Sequence, residues 1–286
     1  MTSIPKVSIV CATYNQQKYI SQAIDSFLMQ ECNFDFEIII HDDCSTDGTS
    51  QIIRDYEKKY PQLIKPIYQE ENIYSQGKKP WVFCLKKAKG NYIALSDGDD
   101  YWTDPLKLQK QVDFLDVNED FNICFHRANL LRNSNDLSLH PIPDISSNGE
   151  YIYKDLLEYY NFITTASVVT RKPDIIKFST WFNKLPFGDM GLYLICAEGK
   201  KIKCLDDVMS VYRIHNEGLW SKLDKFKEKE NYLSFYKIVS PYLNDPEKII
   251  VRIKIKEVLS SLAKMRYPTS PILKRLYYLH RRFNIK

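Results

Sequence analysis

The stretch Asn91-Tyr92-Ile93-Ala94-Leu95-Ser96-Asp97-Gly98-Asp99-Asp100-Tyr101-Trp102 (NYIALSDGDDYW) runs from an apolar segment straight into three carboxylates within four residues. The apolar half is short and shows no polar alternation, which reads as a strand buried on both faces. The acidic half is costly at the end of such a strand. Carboxylates this close repel one another unless a cation sits among them or they point into water. In parallel α/β sheets, ligands bind at the carboxyl ends of the strands. An acidic knot at that place therefore reads as part of a site.

The same alternation extends outward from this stretch. "KVSIVCATY" and "FEIII" read as further buried strands, the second stopping at "HDDCSTDGT", and "IKPIYQ" as a third. Between them, "NQQKYISQAIDSFLMQ" places Ile20, Ala23, Ile24, Phe27 and Leu28 at helical spacing, and "SQIIRDYEKKY" reads as a helix. "WVFCLKKAKG" reads as a short helix with Gly90 as its C-terminal cap. "TDPLKLQKQVDFLDVN" reads as a helix capped by Asp104 with Pro105 in its first turn. Strands alternating with helices predict an α/β protein with a Rossmann-like, mostly parallel sheet covered on both faces. Asp42 and Asp43 end one strand; Asp97, Asp99 and Asp100 end another, so both acidic groups are expected on one edge.

Further along, "RNSNDLSLHPIPDISSNGE" reads as a mobile loop. "YIYKDLLEYYN" and "DMGLYLICAEGKK" read as helices, and "FITTASVVTR" as a strand. "IKCLDDVMSVYRIH" reads as two short strands with a turn at Asp206-Asp207. The rest reads as helices only, one with Val251, Ile255, Val258, Leu262 and Met265 on one face. Two regions are expected: residues 1–221 as the α/β domain, and 222–286 as a basic helical extension.

Composition narrows the class. The chain has 286 residues, 44% hydrophobic and 27% charged, as in a soluble globular protein. No apolar run approaches the length of a membrane span, and the N-terminus lacks the ordered regions of a signal peptide, so a cytoplasmic start is expected. Its seven cysteines are scattered without a C-x-x-C pair. They are read as reduced, mostly core residues, not as a disulfide framework or zinc site. The +4 net charge is unevenly placed: residues 222–286 hold 16 Lys+Arg against 6 Asp+Glu, leaving the body acidic.

Hard divalent cations take carboxylate oxygens, and Mg²⁺ or Mn²⁺ is commonly held by one or two carboxylates plus substrate phosphates. The acidic knot therefore suggests a metal-bridged, phosphate-bearing ligand. The glycine-rich cradles of P-loop NTPases and dinucleotide-binding dehydrogenases are absent.

"VSIVCATYN", "IIIHDDCSTDGT" and "YIALSDGDDYWTDPLKLQKQ" follow one another in the order and spacing of glycosyltransferase family 2, and "ITTASVVTR", "FGDMGLYL" and "YRIH" fit as well. The resemblance covers about residues 4 to 220 and implies the GT-A fold and an inverting transfer from a nucleotide-sugar. Asp42 matches the family's acid at the nucleotide base, typically uracil, whose imide N–H a carboxylate can accept. Asp43 could share or replace that role, and Thr13 and Tyr14 would flank the base. Asp97 and Asp99 match the two acids of the D-x-D motif, the first near ribose and metal, the second on the metal. Asp100 either joins them or structures the turn before Trp102. Asp189 matches the general base of the E-D motif, although Gly188 stands where the family commonly has Glu. His215 matches a histidine near metal and diphosphate, and Arg213 either meets phosphate or pairs with an acid. Trp220 and the residues after it are expected to form a mobile lid over the diphosphate.

The resemblance thus implies Mn²⁺ or Mg²⁺, a nucleotide-sugar donor, most simply a UDP-sugar, and a glycan or lipid-linked glycan acceptor, as in bacterial surface polysaccharide assembly. The tail "SPILKRLYYLHRRFNIK" places Leu273, Leu276 and Phe283 near one face with Lys274, Arg275, Arg281 and Arg282 largely elsewhere. It reads either as an interfacial helix on an anionic membrane or as a helix packed on the body or a second subunit. A nucleic-acid partner is not expected, since basic charge is confined to the tail. A non-enzymatic scaffold on the same fold, or a nucleotidyltransferase, are the rival readings.

Overall fold

The structure, a computed structural model, describes residues 4–132, 136–174, 178, 181–218 and 220–283. Four parallel strands come first: β1 (Val7–Thr13), β2 (Phe36–Asp42), β3 (Ile64–Tyr68) and β4 (Tyr92–Asp97). Helices α1 (Ile20–Leu28), α2 (Thr49–Lys59) and α3 (Pro80–Lys87) connect them. Then follow β5 (Tyr101–Trp102), α4 (Lys107–Val117), β6 (Phe121–Arg132), β7 (Asp136–Leu139), β8 (Glu150–Ile152), α5 (Tyr153–Glu158), β9 (Val169–Arg171), α6 (Asp189–Ala197) and β10 (Lys201–Ile214). The chain ends in α7 (Lys225–Val239), α8 (Asp245–Arg266) and α9 (Pro271–Phe283).

Among the described residues the sheet runs β3-β2-β1-β4-β9-β6-β10-β5, with β7 on β6 and β8 on β10. The mixed but mostly parallel sheet is covered on both faces, as the uniformly apolar strands require. Along β1, Val7, Ile9 and Cys11 face the layer of α1, α2 and α4, while Val10 faces the other side. That second core takes in α3, α5 and α6 and continues without a break into α7 and α8 through Tyr232, Phe235, Tyr236, Val258 and Leu262. All seven cysteines are free, five of them buried.

Strand direction positions the site. β4 is antiparallel to β9, and β9 to β6, so β6 runs parallel to β4; β10 is parallel to β6 in turn. The carboxyl end of β10 therefore reaches the same edge as those of β1, β2 and β4.

Several local expectations change. Asp206-Asp207 is an irregularity inside one fourteen-residue strand, not a turn, because pairing with β6 resumes at Val208. Gly90 is no left-handed cap: α3 ends with Ala88 as its C-terminal cap, and a Cβ at Gly90 would lie 2.5 Å from the Ser8 backbone nitrogen. Asp104 caps the turn before α4, its Oδ1 accepting the Leu106 N–H at 2.8 Å, and the helix begins at Lys107. "FITTASVVTR" splits into a 3₁₀ turn, Thr165–Ser167, and the short β9. "YIYKDLLEYYN" splits between β8 and α5. The segment read as a loop contains β7 and begins β8; its residues 133–135 lie outside the described ones. Of the α8 stripe, Val251, Val258 and Leu262 are buried, whereas Met265 is exposed.

Candidate active site at the carboxyl edge of the sheet

Backbone register brings the acidic groups together. Thr13 pairs with Asp42 and Ala12 with Asp97, so the ends of β1, β2 and β4 are level. The turn after β4 lies against the loop after β1. The Gly98 N–H donates to the Ala12 carbonyl at 3.0 Å, and a Cβ at Gly98 would meet Gln16 Oε1 at 2.4 Å and Thr13 Cβ at 2.8 Å. Glycine is required there by this close approach.

β5 then folds the acidic turn onto β10, Tyr101 pairing with Val211 and Trp102 with Ser210. This brings Arg213 and His215 to Asp99 and Asp100 from more than 110 residues away. His215 Nε2 lies 2.9 Å from Asp99 Oδ2. The Glu217 N–H lies 3.3 Å from Nδ1, a pairing that a cation bound at Nε2 would break, since a ligating imidazole keeps its hydrogen on Nδ1. The imidazole also lies against Tyr19, ring centroids 4.7 Å apart. Arg213 is fully engaged as a clamp. Its backbone N–H donates to Asp100 Oδ1 at 2.9 Å, and its guanidinium donates to the Asp99 carbonyl and to Gln22 Oε1. It packs between the rings of Tyr101 and Tyr19 at 4.4 and 5.1 Å.

The knot is electrostatically loaded. Asp100 is buried and its Oδ2 has no hydrogen-bond partner. Burial, then the charges of Asp99 and Asp97, push its carboxyl well above the usual range, against the pull of Arg213. Burial, then the charges of Asp99 and Asp189, do the same to Asp97. A cation would relieve both. Among the described residues no group of three or more His, Cys, Asp or Glu is arranged to hold a metal ion. Asp99 with His215 is the pair whose donor atoms converge, and a carboxylate with an imidazole is a donor set that suits Mn²⁺. The pair leaves further positions for a ligand's own oxygens.

At the β2 end the acids are satisfied from within. Asp42 Oδ1 accepts the Ser45 N–H at 3.1 Å and Oδ2 accepts the Ser50 hydroxyl. Asp43 accepts the N–H groups of Ile73 and Tyr74 at 2.8 and 3.0 Å, fastening the loop after β3. Thr13 is buried, its hydroxyl donating to Gln16 Oε1 at 2.7 Å, while Tyr14 is exposed. A cleft of about 600 Å³ opens beside this end, lined by Tyr68, Gln69, Glu71, Ile73 and Lys78. A smaller concavity lies at Tyr19 and His215.

Asp189 opens α6, at the helix N-terminus. Asn161 donates its side-chain N–H to Oδ2, while Oδ1 is buried without a partner. Burial raises the Asp189 carboxyl above the usual range; the Met190 N–H, Asn161 and the Lys79 ammonium hold it back. Lys79 is itself buried, donating to the Leu185 carbonyl at 2.7 Å, and burial lowers its basicity. The side chain missing at Gly188 is partly replaced by the Lys79 stem, 3.6 Å from where its Cβ would be. Trp220 packs edge-on against Phe187 and Tyr232, at 5.2 and 5.8 Å. Lys79, Asn161 and Gln22 had drawn no attention in the sequence. They lie far from the residues they serve and in no motif, and only Lys79, a cation just before Pro80, offered any signal.

A family model for glycosyl transferase family 2 matches residues 8–185. The chain belongs to that family. The uncharacterized protein Rv1520 of Mycobacterium tuberculosis is 40% identical over 215 residues, 75% of this chain and 60% of that protein. This chain thus spans less than two thirds of that relative's length. UDP-Glc:alpha-D-GlcNAc-diphosphoundecaprenol beta-1,3-glucosyltransferase WfaP of Escherichia coli is 33% identical over 224 residues, 78% of this chain and 82% of WfaP. Among solved structures, S. aureus TarS 1–349 in complex with UDP-GlcNAc superposes with a TM-score of 0.68 at 20% identity, over 96% of this chain and 79% of that one. The mannosyltransferase PcManGT of Pyrobaculum calidifontis, in complex with GDP-Man and Mn²⁺, reaches 0.60 at 16%, over 100% and 82%. These likenesses establish the GT-A fold for this family 2 member.

Proposed function

We propose that this family 2 protein is an inverting glycosyltransferase that moves a sugar from a UDP-sugar to a hydroxyl of a glycan or lipid-linked glycan. The observation that carries the reading is the carboxyl edge itself. Asp42, Asp97, Asp99 and His215 are brought there by register, and Asp189 adds its charge to that of Asp99 at Asp97. The UDP-Glc donor in the name of WfaP and the UDP-GlcNAc bound to TarS support the donor class.

In this reading the base stacks near Tyr14, and Asp42 accepts the uracil imide N–H, which cytosine lacks. Asp99 and His215 would hold the divalent cation, which when bound neutralises charge developing on the departing diphosphate. Arg213 keeps the acidic turn in place by its bonds to the Asp99 carbonyl and Asp100. Asn161 fixes one oxygen of Asp189, leaving the unpartnered Oδ1 to take the proton of the attacking hydroxyl. Inversion follows when that hydroxyl attacks the anomeric carbon on the face opposite the diphosphate.

The test is thermal stabilisation by UDP, GDP and dTDP with and without Mn²⁺, paired with product formation from a donor panel. A UDP shift that needs Mn²⁺ and disappears in Asp99→Ala is expected, together with turnover of a UDP-sugar. A UDP shift without product from any donor would move the protein to a nucleotide-sugar-binding scaffold. No shift at all would make the acidic knot a structural turn.

A further inference from the structure

Helix α9 turns one face to the protein and leaves the other bare. Tyr277 and Tyr278 pack on the core shared with α7 and α8, and Tyr277 meets Tyr267 edge-on at 5.8 Å. Arg281 donates to Glu230 at 2.9 Å, and Lys237 donates to the Arg281 carbonyl at 3.1 Å. These contacts fix the roll of the helix.

On the opposite face Ile272, Leu276 and Leu279 follow i, i+4, i+7 spacing and form one stripe. They are 73%, 56% and 37% exposed, and Leu273 beside them is 45% exposed. Charge decides what such a stripe fits. From residue 258 to the end the sequence carries seven Lys or Arg and no Asp or Glu. Arg275, one residue from Leu276, is exposed. Arg281 is met by Glu230, but Arg275 borders the stripe in the open, and an apolar stripe edged by exposed positive charge matches a surface that is apolar beneath and anionic above. No helix among the described residues is long and apolar enough to cross a membrane, so the contact is peripheral.

We propose that α9 is an interfacial helix that seats the protein on an anionic lipid bilayer. Ile272, Leu276 and Leu279 enter the boundary between headgroups and acyl chains, and Arg275 lies on the headgroups. The seating does not depend on what the carboxyl edge of the sheet catalyses.

The experiment is flotation of the full chain with phosphatidylglycerol-containing vesicles and with pure phosphatidylcholine vesicles, at low and high salt. The wild type is expected to float with the anionic vesicles and to be released by salt. Leu276→Asp should lower the vesicle-bound fraction at least about tenfold. Arg275→Glu should weaken partitioning at least about fivefold. Circular dichroism on both variants, expected unchanged because the sites are exposed, separates lost seating from lost folding. A wild type that stays at the bottom of the gradient overturns the proposal, as does a Leu276→Asp variant that floats equally well. So does light scattering that finds a wild-type dimer, undone by Leu276→Asp, without vesicle binding; the stripe would then close a contact between two copies.

Discussion

Asp43 and Asp189 both stand on the carboxyl side of the sheet, and their surroundings are opposite. Asp43 spends both oxygens on the backbone of the loop after β3. Asp189 is held by Asn161 through one oxygen, and its other oxygen is buried with nothing to accept. A carboxylate whose lone pairs are filled by its own backbone serves the fold. One left short in a desolvated place is held at a cost, and such costs gather where chemistry is done. Adjacency to a motif does not separate the two cases; the buried, unpartnered oxygen does, whereas Asp42, with Ser45 and Ser50 on its two oxygens, would take a nucleotide base only through a remaining lone pair.

The strongest way to break this contrast is Asp189→Asn. Transfer is expected to fall by about 10²–10⁴-fold, while the UDP and Mn²⁺ thermal shift is retained. A variant that transfers sugar at the wild-type rate ends the base assignment. The same substitution has a stability signature. Because burial raises the folded-state value of Asp189, the stability contributed by the neutral acid is present at low pH and is lost as pH rises through that raised value. Asn keeps it, so the variant should melt higher than wild type at neutral and alkaline pH.

Next comes the pH profile of wild-type kcat/KM. Asp189 is faced by Lys79, Asp97, Tyr74, Tyr193, Tyr212 and Tyr232, and the net effect on it is upward. Activity should therefore fall tenfold per unit of acidification below a midpoint above the ordinary aspartate value of about 3.9. A midpoint at or under that value would place the base elsewhere.

Asp43→Ala probes the other half. It should cost about 1–3 kcal/mol of stability by denaturant titration, since two backbone N–H groups, that of Ile73 buried, lose their acceptor, and leave turnover of the folded fraction within a few-fold. Unchanged stability with lost nucleotide affinity would return Asp43 to the base site. The smallest effect concerns Lys107, fully buried beneath the acidic turn, its ammonium 4.1 Å from the Trp102 ring and bonded to Gln111 at 2.8 Å. Burial lowers its value to about 7. Above that pH the unfolded chain binds a proton that the folded one does not. Wild-type stability should therefore climb from pH 7 toward about 10. Lys107→Met should flatten that climb and add about 1 kcal/mol at pH 8; an equally steep climb in the variant would remove Lys107 as its source.

What the sequence disclosed follows from what each residue answers to. β1, β2 and β4 were legible because strands buried on both faces must be apolar throughout, and their acidic ends stood out against that background. β6 was not, because Asn122, His126, Arg127 and Asn129 break the run; the fold accommodates them individually, as when Asn122 donates to the Cys196 carbonyl at 2.9 Å. The pair Asp206-Asp207 looked like a turn, yet Lys110 reaches Asp207 and Arg127 reaches Asp206, so the two charges are met along an edge that keeps running. Gly90 and Gly98 are glycines for what presses against them, which only the folded neighbours reveal. The same holds for Asn161 and Lys79, whose importance arises from a carboxylate 28 residues away in one case and across the sheet edge in the other.

The placement of β10 between β6 and β5 has a consequence for the order in which the protein is made. The acidic turn leaves the ribosome early, but the strand it must lie against ends more than 110 residues later. Until then Asp99 lacks its histidine and Asp100 its backbone donor. A nascent chain, or a fragment cut where the family match stops at residue 185, holds the whole D-G-D-D turn and none of Asp189, Arg213 and His215. Such a piece carries the most recognisable part of the sequence and lacks the part that completes the site, so a centre whose signature stands within the first hundred residues waits for the stretch beyond residue 185 to finish it.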